Sequence, residues 1–252
     1  MADGRVSART TVFAPLISGG RTDAVIQRIT ESVALGLLSD GEQLPSETEL
    51  SAQLGVSTVT LREALASLRE QGLVETRRGR NGGSFVRAPG DPTKAALRAQ
   101  LAALSVSDLR DAGDELAAVS GAAARLAASR ASTDNVRRLL SLAGRVEECV
   151  GVGDRTRADT RFHIEVAVAA ASERLTRAEV SLQAELGVLL WLPGATDEDA
   201  RKAAEQHHAI ALAISREDAG LARSLAEQHV EANTHELIEA RIELHAGGSG
   251  DR

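Results

Sequence analysis

The sequence predicts a mainly α protein in two parts: an N-terminal helix pair with a small β-hairpin, then a C-terminal all-α helical bundle. Three observations predict it. Residues 43–74 read as two short helices around a glycine turn, and residues 73–86 hold two short β-prone runs. From about residue 94 to 245 the apolar residues recur at helical spacing, with no credible strand. Of the 252 residues, 43% are hydrophobic but only 2% are aromatic. The core must therefore be built from Ala, Leu and Val, which favours closely packed helices.

Taken in order, residues 1–20 are polar and expected to be mobile. Thr22 or Asp23 can cap a helix reaching Leu38, with Val25, Ile29 and Val33 on one face and Ser39-Asp40-Gly41 ending it. After Pro45, Ser46-x-x-Glu49 is a capping box, so a helix starts there. Leu50 and Leu54 share a face, and Gly55 ends the helix. Ser57 is the next N-cap, and Leu61, Leu65 and Leu68 then repeat at helical spacing, with Arg62 and Arg69 off that stripe. Gly72 closes this second helix. The hairpin that follows has a Gly/Asn-rich tip carrying Arg77, Arg78 and Arg80. Two helices around a tight turn, then a hairpin, make a winged helix-turn-helix, expected over residues 21–88. Such a unit lays its second helix in the DNA major groove, while a basic wing tip reaches phosphates or the adjacent groove.

The charge distribution agrees with this reading. The chain is acidic overall, with a formal net charge of −7. Residues 1–90 hold ten Arg and ten acidic residues, yet residues 56–90 carry six Arg against three Glu. Positive charge is thus concentrated on the second helix and wing, where phosphates would lie. The acidic remainder repels DNA and helps orient the molecule. The single cysteine, Cys149, excludes an internal disulfide framework and fits a reducing cytoplasm. No run of about 18 apolar residues predicts a membrane span, and no signal peptide is expected.

Residues 89–106 read as a linker with a short helix at about 94–103. The bundle is expected over residues 107–245, with helices at about 107–130, 133–150, 154–172, 174–192, 197–215 and 217–245. Residues 246–252, rich in glycine, are expected to be a disordered tail. Within the bundle, Asp159 and His163 are four residues apart, on one helix face. His163 shares its stripe with Val166 and Ala170, His207 with Ala203, Ile210 and Ile214, and His229 with Leu221 and Leu225. His208 lies off its stripe, while His235 and His245 read as surface residues. Three imidazoles and a carboxylate converging in a bundle interior could bind a divalent transition metal, although each histidine alone reads as a hydrogen-bonded core residue. Cys149 reads as a small buried hydrophobe and Trp191 as a packing residue at a helix end.

Together these constellations resemble one family, the GntR-type transcription regulators of the FadR subfamily with the all-helical FCD effector domain. The resemblance covers about residues 22–245. Leu44-Pro-Ser-Glu47, Leu54-Gly-Val-Ser57, Leu61-Arg-Glu-Ala-Leu65 and Gly72-Leu-Val74 match its winged-helix pattern at the expected spacings. Asp159-Thr-Arg-Phe-His163, His207-His-Ala-Ile210 and His229 resemble its metal elements. The resemblance implies that Asp159, His163, His207 and His229 ligate a divalent ion, zinc, nickel or manganese. The DNA contacts expected are Ser46, Thr48, Ser57, Thr58, Thr60, Arg62, Arg78, Arg80, Asn81 and Gly82. Family members often carry Arg where this chain has Thr48 and Thr58. Arginine contacts guanine bidentately and threonine does not, so the family's common operator is not expected. Family members also tend to have an Arg-x-x-x-Glu element where this chain has Gly113 and Ala117, so the polar lining of the effector pocket is altered.

The expected function is that of a non-enzymatic, metabolite-responsive regulator, a repressor binding a palindromic operator as a cytoplasmic homodimer. Its expected effector is a carboxylate, either an organic acid or a fatty acyl derivative. Two other readings stand beside it. One is a metal-dependent hydrolase, for which Glu165 and Glu205 are the nearby carboxylates in sequence. The other is a ligand-independent DNA-binding protein.

Overall fold

The computed structural model describes residues 12–13, 15–16, 22–79, 82–88, 90–193 and 196–248. Among these the chain divides into two compact units, residues 1–90 and 91–252.

The first unit contains α1 (Thr22–Ala34), α2 (Glu47–Leu54), α3 (Thr58–Glu70), β1 (Val74–Arg77) and β2 (Gly83–Val86). The capping box at the start of α2 is formed: Glu49 N–H donates to the Ser46 hydroxyl, and the Glu49 carboxylate accepts from Ser46 N–H. Gly55 ends α2 at φ 67°, a left-handed conformation that a Cβ would strain. The Ser57 hydroxyl caps α3 by accepting from Thr60 N–H. The strands pair antiparallel with Val74 opposite Val86 and Glu75 opposite Phe85, and Gln43 adds a single bridge beside Phe85. Val25, Ile29, Leu50, Leu54, Leu61, Leu65, Leu68 and Val86 interlock in one core. Each fully buried aliphatic side chain contributes about 1.5–3 kcal/mol, so this core is what fixes the angle of α3.

Two expectations for this unit need correction. α1 stops at Ala34 rather than Leu38, because Gly36 adopts φ 65° and Leu37 N–H turns back to the Ser32 carbonyl. The described part of residues 1–20 is packed, not loose. Val12 is buried, Phe13 and Leu16 pack on the core, and Leu16 N–H donates to the Leu54 carbonyl at 3.0 Å.

The second unit contains α4 (Lys94–Ala103), α5 (Val106–Arg130), α6 (Thr133–Ala143), α7 (Val152–Ala169), α8 (Glu173–Leu190), α9 (Asp197–Ser215) and α10 (Ala219–Gly248). α5 and α10 form its most extensive pairing. Their approach depends on small residues: a Cβ on Gly113 would stand 2.3 Å from Thr234 Cγ2. Gly113 is thus a packing residue, which explains why a charged side chain cannot occupy that position. α7 runs through the middle of the bundle, with 13 of its 18 residues buried. Leu97 and Leu101 bring α4 into this core beside Leu237 of α10.

The helix expected to reach residue 150 ends at Ala143, where Gly144 follows and residues 145–148 turn. α10 begins at Ala219 because Glu217 takes φ 59°, and it runs through Gly248. Its last turn therefore enters the segment expected to be a disordered tail; residues 249–252 lie outside those described. No helix among the described residues is long and apolar enough to cross a membrane.

Candidate metal centre and DNA-reading face

The metal candidates come from three helices. α7 supplies Asp159 and His163 one turn apart, α9 supplies His207, and α10 supplies His229. All four are buried, and their ligating atoms lie within 4.8 Å of one another. His163 Nε2 is 3.2 Å from His229 Nε2, and His207 Nε2 is 3.3 Å from Asp159 Oδ1. Atoms sharing an ion at about 2 Å lie within roughly 4 Å of one another, so this cluster is close to a coordination shell.

Two features test whether these residues suit a cation. Among the described residues, Asp159 Oδ1 and His207 Nε2 are buried and have no hydrogen-bond partner beyond their 3.3 Å approach to each other. Orphaned buried polar atoms are costly, and a shared ion would satisfy Asp159 and His207 together. Burial also pushes His163, His207 and His229 down to about 3, so each ring is neutral near pH 7 and offers a lone pair. Neutral imidazoles with one carboxylate are a donor set for borderline divalent metals. The residues present fit such an ion.

Neighbouring groups aim these ligands. Gln206 Oε1 accepts from His229 Nδ1 at 2.8 Å, which leaves Nε2 unprotonated and facing the cluster. Phe162 stacks on His207, with ring centroids 4.1 Å apart and planes 16° apart. Asn233 Nδ2 reaches His229 Nε2 at 3.3 Å. Gln206 and Asn233 were not among the sequence candidates; only the adjacency of Gln206 to His207 and the one-turn spacing of Asn233 from His229 could have flagged them. His229 is buried and Leu225 packs on the core as expected from their spacing, and only Leu221 of that stripe departs. Leu221 is exposed, and the buried face of α10 is Ala222, Ala226, His229, Val230 and Leu237.

Other sequence candidates lie apart from this cluster. Glu165 is held by Arg138 at 2.7 Å and Asn135 at 3.2 Å, while Glu205 is exposed. His208 Nδ1 donates to the Ala204 carbonyl, and His235 pairs with Glu239 at the surface. Cys149 is half-buried rather than buried, its thiol donating to the Arg145 carbonyl. Trp191 does pack at the end of α8, against Val146, Ala200 and Ala203.

A second buried polar group joins α5, α7 and α8. The Ser120 hydroxyl donates to Glu179 at 2.9 Å, Gln183 donates to the same carboxyl at 3.0 Å, and Thr160 reaches Gln183 at 3.4 Å. Burial pushes Glu179 up to about 7, despite these hydrogen bonds. Nothing in the sequence separates Glu179 from an ordinary surface glutamate; its partner Ser120 lies 59 residues away.

In the first unit, Thr48 is exposed on α2, and Thr58 and Arg62 are exposed on α3. The Thr60 hydroxyl is 2.9 Å from the Ser57 hydroxyl, and the Ser46 hydroxyl donates to Glu49 at 2.7 Å, so two of the expected DNA contacts, Ser46 and Ser57, also serve as helix caps. Arg62 Nε donates to Glu47 at 2.7 Å. On the wing, Arg78 is exposed, and Gly82 N–H donates to the Gly79 carbonyl, closing the turn. Arg80 and Asn81 lie outside the described residues. Arg77 spans the hairpin, its guanidinium 4.2 Å over Phe85 and its Nε 2.7 Å from Glu75.

Comparison with known proteins bears on both units. The model of the family "Bacterial regulatory proteins, gntR family" matches residues 21–86, and the FCD domain model matches residues 114–232. Among relatives, a candidate HTH-type transcriptional regulator of Mycobacterium gastri, RmpR, is 42% identical over 226 residues, covering 89% of this chain and 82% of its own length. The chain belongs to the GntR family. Another relative is a candidate L-lactate dehydrogenase operon regulatory protein of Escherichia coli, 30% identical over 224 residues and 83% of each chain. The solved structure of Escherichia coli McbR/YncC shares the fold, with a TM-score of 0.52 at 17% identity over 86% of this chain and 97% of that one. This GntR-family chain is therefore a transcriptional regulator with a DNA-binding domain and an FCD effector domain.

Proposed function

We propose that the protein is a cytoplasmic, metabolite-responsive repressor that binds a palindromic operator as a homodimer. Dimerisation fits the small number of base contacts one winged helix offers. Arg62, Thr58, Thr60 and Thr48 face the major groove in this reading, with Ser46, Ser57 and the wing residues Arg78, Arg80, Asn81 and Gly82 near phosphates.

In the effector domain, Asp159, His163, His207 and His229 hold a divalent metal. The observation that carries this reading is the convergence of four buried ligand atoms, two of them, on Asp159 and His207, without a normal hydrogen-bond partner among the described residues. Such an ion would supply an electrophilic docking point for a carboxylate effector, whether an organic acid or a fatty acyl derivative. The chain's own residues orient the imidazoles through Gln206 and Phe162 and exclude bulk water. A small surface pocket lined by Trp191, Asp199, Lys202, Gln206, Asn233 and Glu236 reaches Gln206 and Asn233, the two residues that hydrogen-bond His229, and its Lys202 is paired with Glu236 at 3.1 Å. Effector and operator affinities are then reciprocally coupled, and bound effector weakens DNA binding.

Elemental analysis of the purified protein tests the centre: the wild type carries about one metal per chain, and His207→Ala combined with His229→Ala removes it. Equal metal content in both proteins overturns the assignment. Thermal shifts over a panel of carboxylates and acyl-CoA esters identify the effector class.

A further inference from the structure

We propose that Val59 reads the 5-methyl group of a thymine in the operator. Val59 is the second residue of α3 and is 61% exposed, although its side chain is entirely apolar. The buried stripe of α3 is complete without it: Leu61, Ala64, Leu65 and Leu68 fill the core, and Val59 packs neither in that core nor against it. A β-branched residue at an exposed helical position also lowers helix propensity relative to alanine. Among the described residues its side chain therefore contributes nothing to the core of its own unit.

Its place on the helix supplies the role. The N-terminal turn of the second helix in a helix-turn-helix is the part that meets base edges. In that turn the Thr60 hydroxyl is engaged with Ser57, whereas Val59 presents only methyl groups. In the major groove, thymine alone among the four bases carries a methyl group at its edge. Bringing the two apolar surfaces together removes both from water. The chemical partner of Val59 is thus the thymine C5 methyl, one in each operator half-site. This inference rests on the reading that α3 docks in the major groove.

The test separates the two. Duplexes are selected from a random-sequence library with the purified full-length protein. Each thymine of the selected duplex is then replaced singly by deoxyuridine, which lacks only the methyl group. One thymine per half-site should weaken wild-type binding by about three- to tenfold in a mobility-shift assay when replaced. Val59→Ala should bind the thymine and deoxyuridine duplexes equally, with an unchanged salt dependence because phosphate contacts are untouched. Alanine is the better helix former here, and a thermal melt verifies the fold. A flat deoxyuridine scan, or a Val59→Ala protein that keeps the full penalty, overturns the role of Val59 while leaving the docking of α3 intact. If no sequence is selected at all, the docking reading itself fails and the inference falls with it.

Discussion

Arg62 on α3 and Glu47 on α2 are joined across the helix-turn-helix, Nε to carboxylate at 2.7 Å, with both side chains well exposed. Exposed pairs contribute only about 0–1 kcal/mol, so the pair does little for the fold. It holds a long, flexible guanidinium in one place before DNA arrives.

Arg62→Ala should therefore leave the melting temperature nearly unchanged and sharply weaken specific binding. Each lost contact is worth about 1–3 kcal/mol, and the proposed homodimer would lose two, so a drop of about 30-fold to about ten-thousandfold is expected. A mobility-shift assay that still shows tight binding would refute the docking of α3.

Gln206→Ala should weaken metal retention without touching a ligand. Losing the partner that orients a metal-bound histidine typically costs about 10–100-fold in affinity. Competition with a calibrated chelator measures this, and the affinity of the wild type retained in the variant would remove Gln206 from the centre.

Glu179 makes stability depend on pH. Its folded-state pKa, about 7, lies above its ordinary value of 4.5. Between these values the unfolded chain ionises while the folded chain keeps its proton, so this group's stabilisation is complete below pH 4.5 and lost as pH rises towards 7. The loss amounts to about 3 kcal/mol. Glu179→Gln keeps the acceptor and donor roles but cannot ionise. Relative to the wild type it should gain stability steadily between pH 5 and 7 and no further above that, in denaturant unfolding followed across pH. A pH-independent difference would show that Glu179 titrates normally.

Gly113→Ala should destabilise the effector domain, because the added Cβ meets Thr234 Cγ2. Overpacking of this kind costs about 1–3 kcal/mol. Adding Thr234→Ala removes the clashing methyl and should restore part of the loss, a coupling visible in a double-mutant thermal-denaturation cycle. Additive effects would mean that α5 and α10 separate freely at this point.

How much of this was legible in the sequence varied with the range of the interactions involved. Within the first unit the deciding interactions are local: Ser46 with Glu49, Gly55 at positive φ and Ser57 with Thr60 lie a few residues apart, and each left its mark in the chain. The identity of the four candidate ligands was readable as well, since Asp159 and His163 are one turn apart and the other histidines fall among apolar residues. Their convergence was not, because it depends on α7, α9 and α10 being packed together. The same is true of Gln206 turning His229, of Phe162 stacking on His207, and of Ser120 reaching Glu179 across 59 residues. Leu221 shows the limit: spacing put it on one face with Leu225 and His229, which do meet the core, but how far along α10 that face is covered was decided by the neighbouring helices. The sequence by itself thus determined the two-part architecture, the caps and the candidate ligands, all consequences of short-range geometry. Packing between distant segments alone decided which side chains became buried, neutral and aimed at one another, because burial and its electrostatic consequences exist only once the bundle has closed.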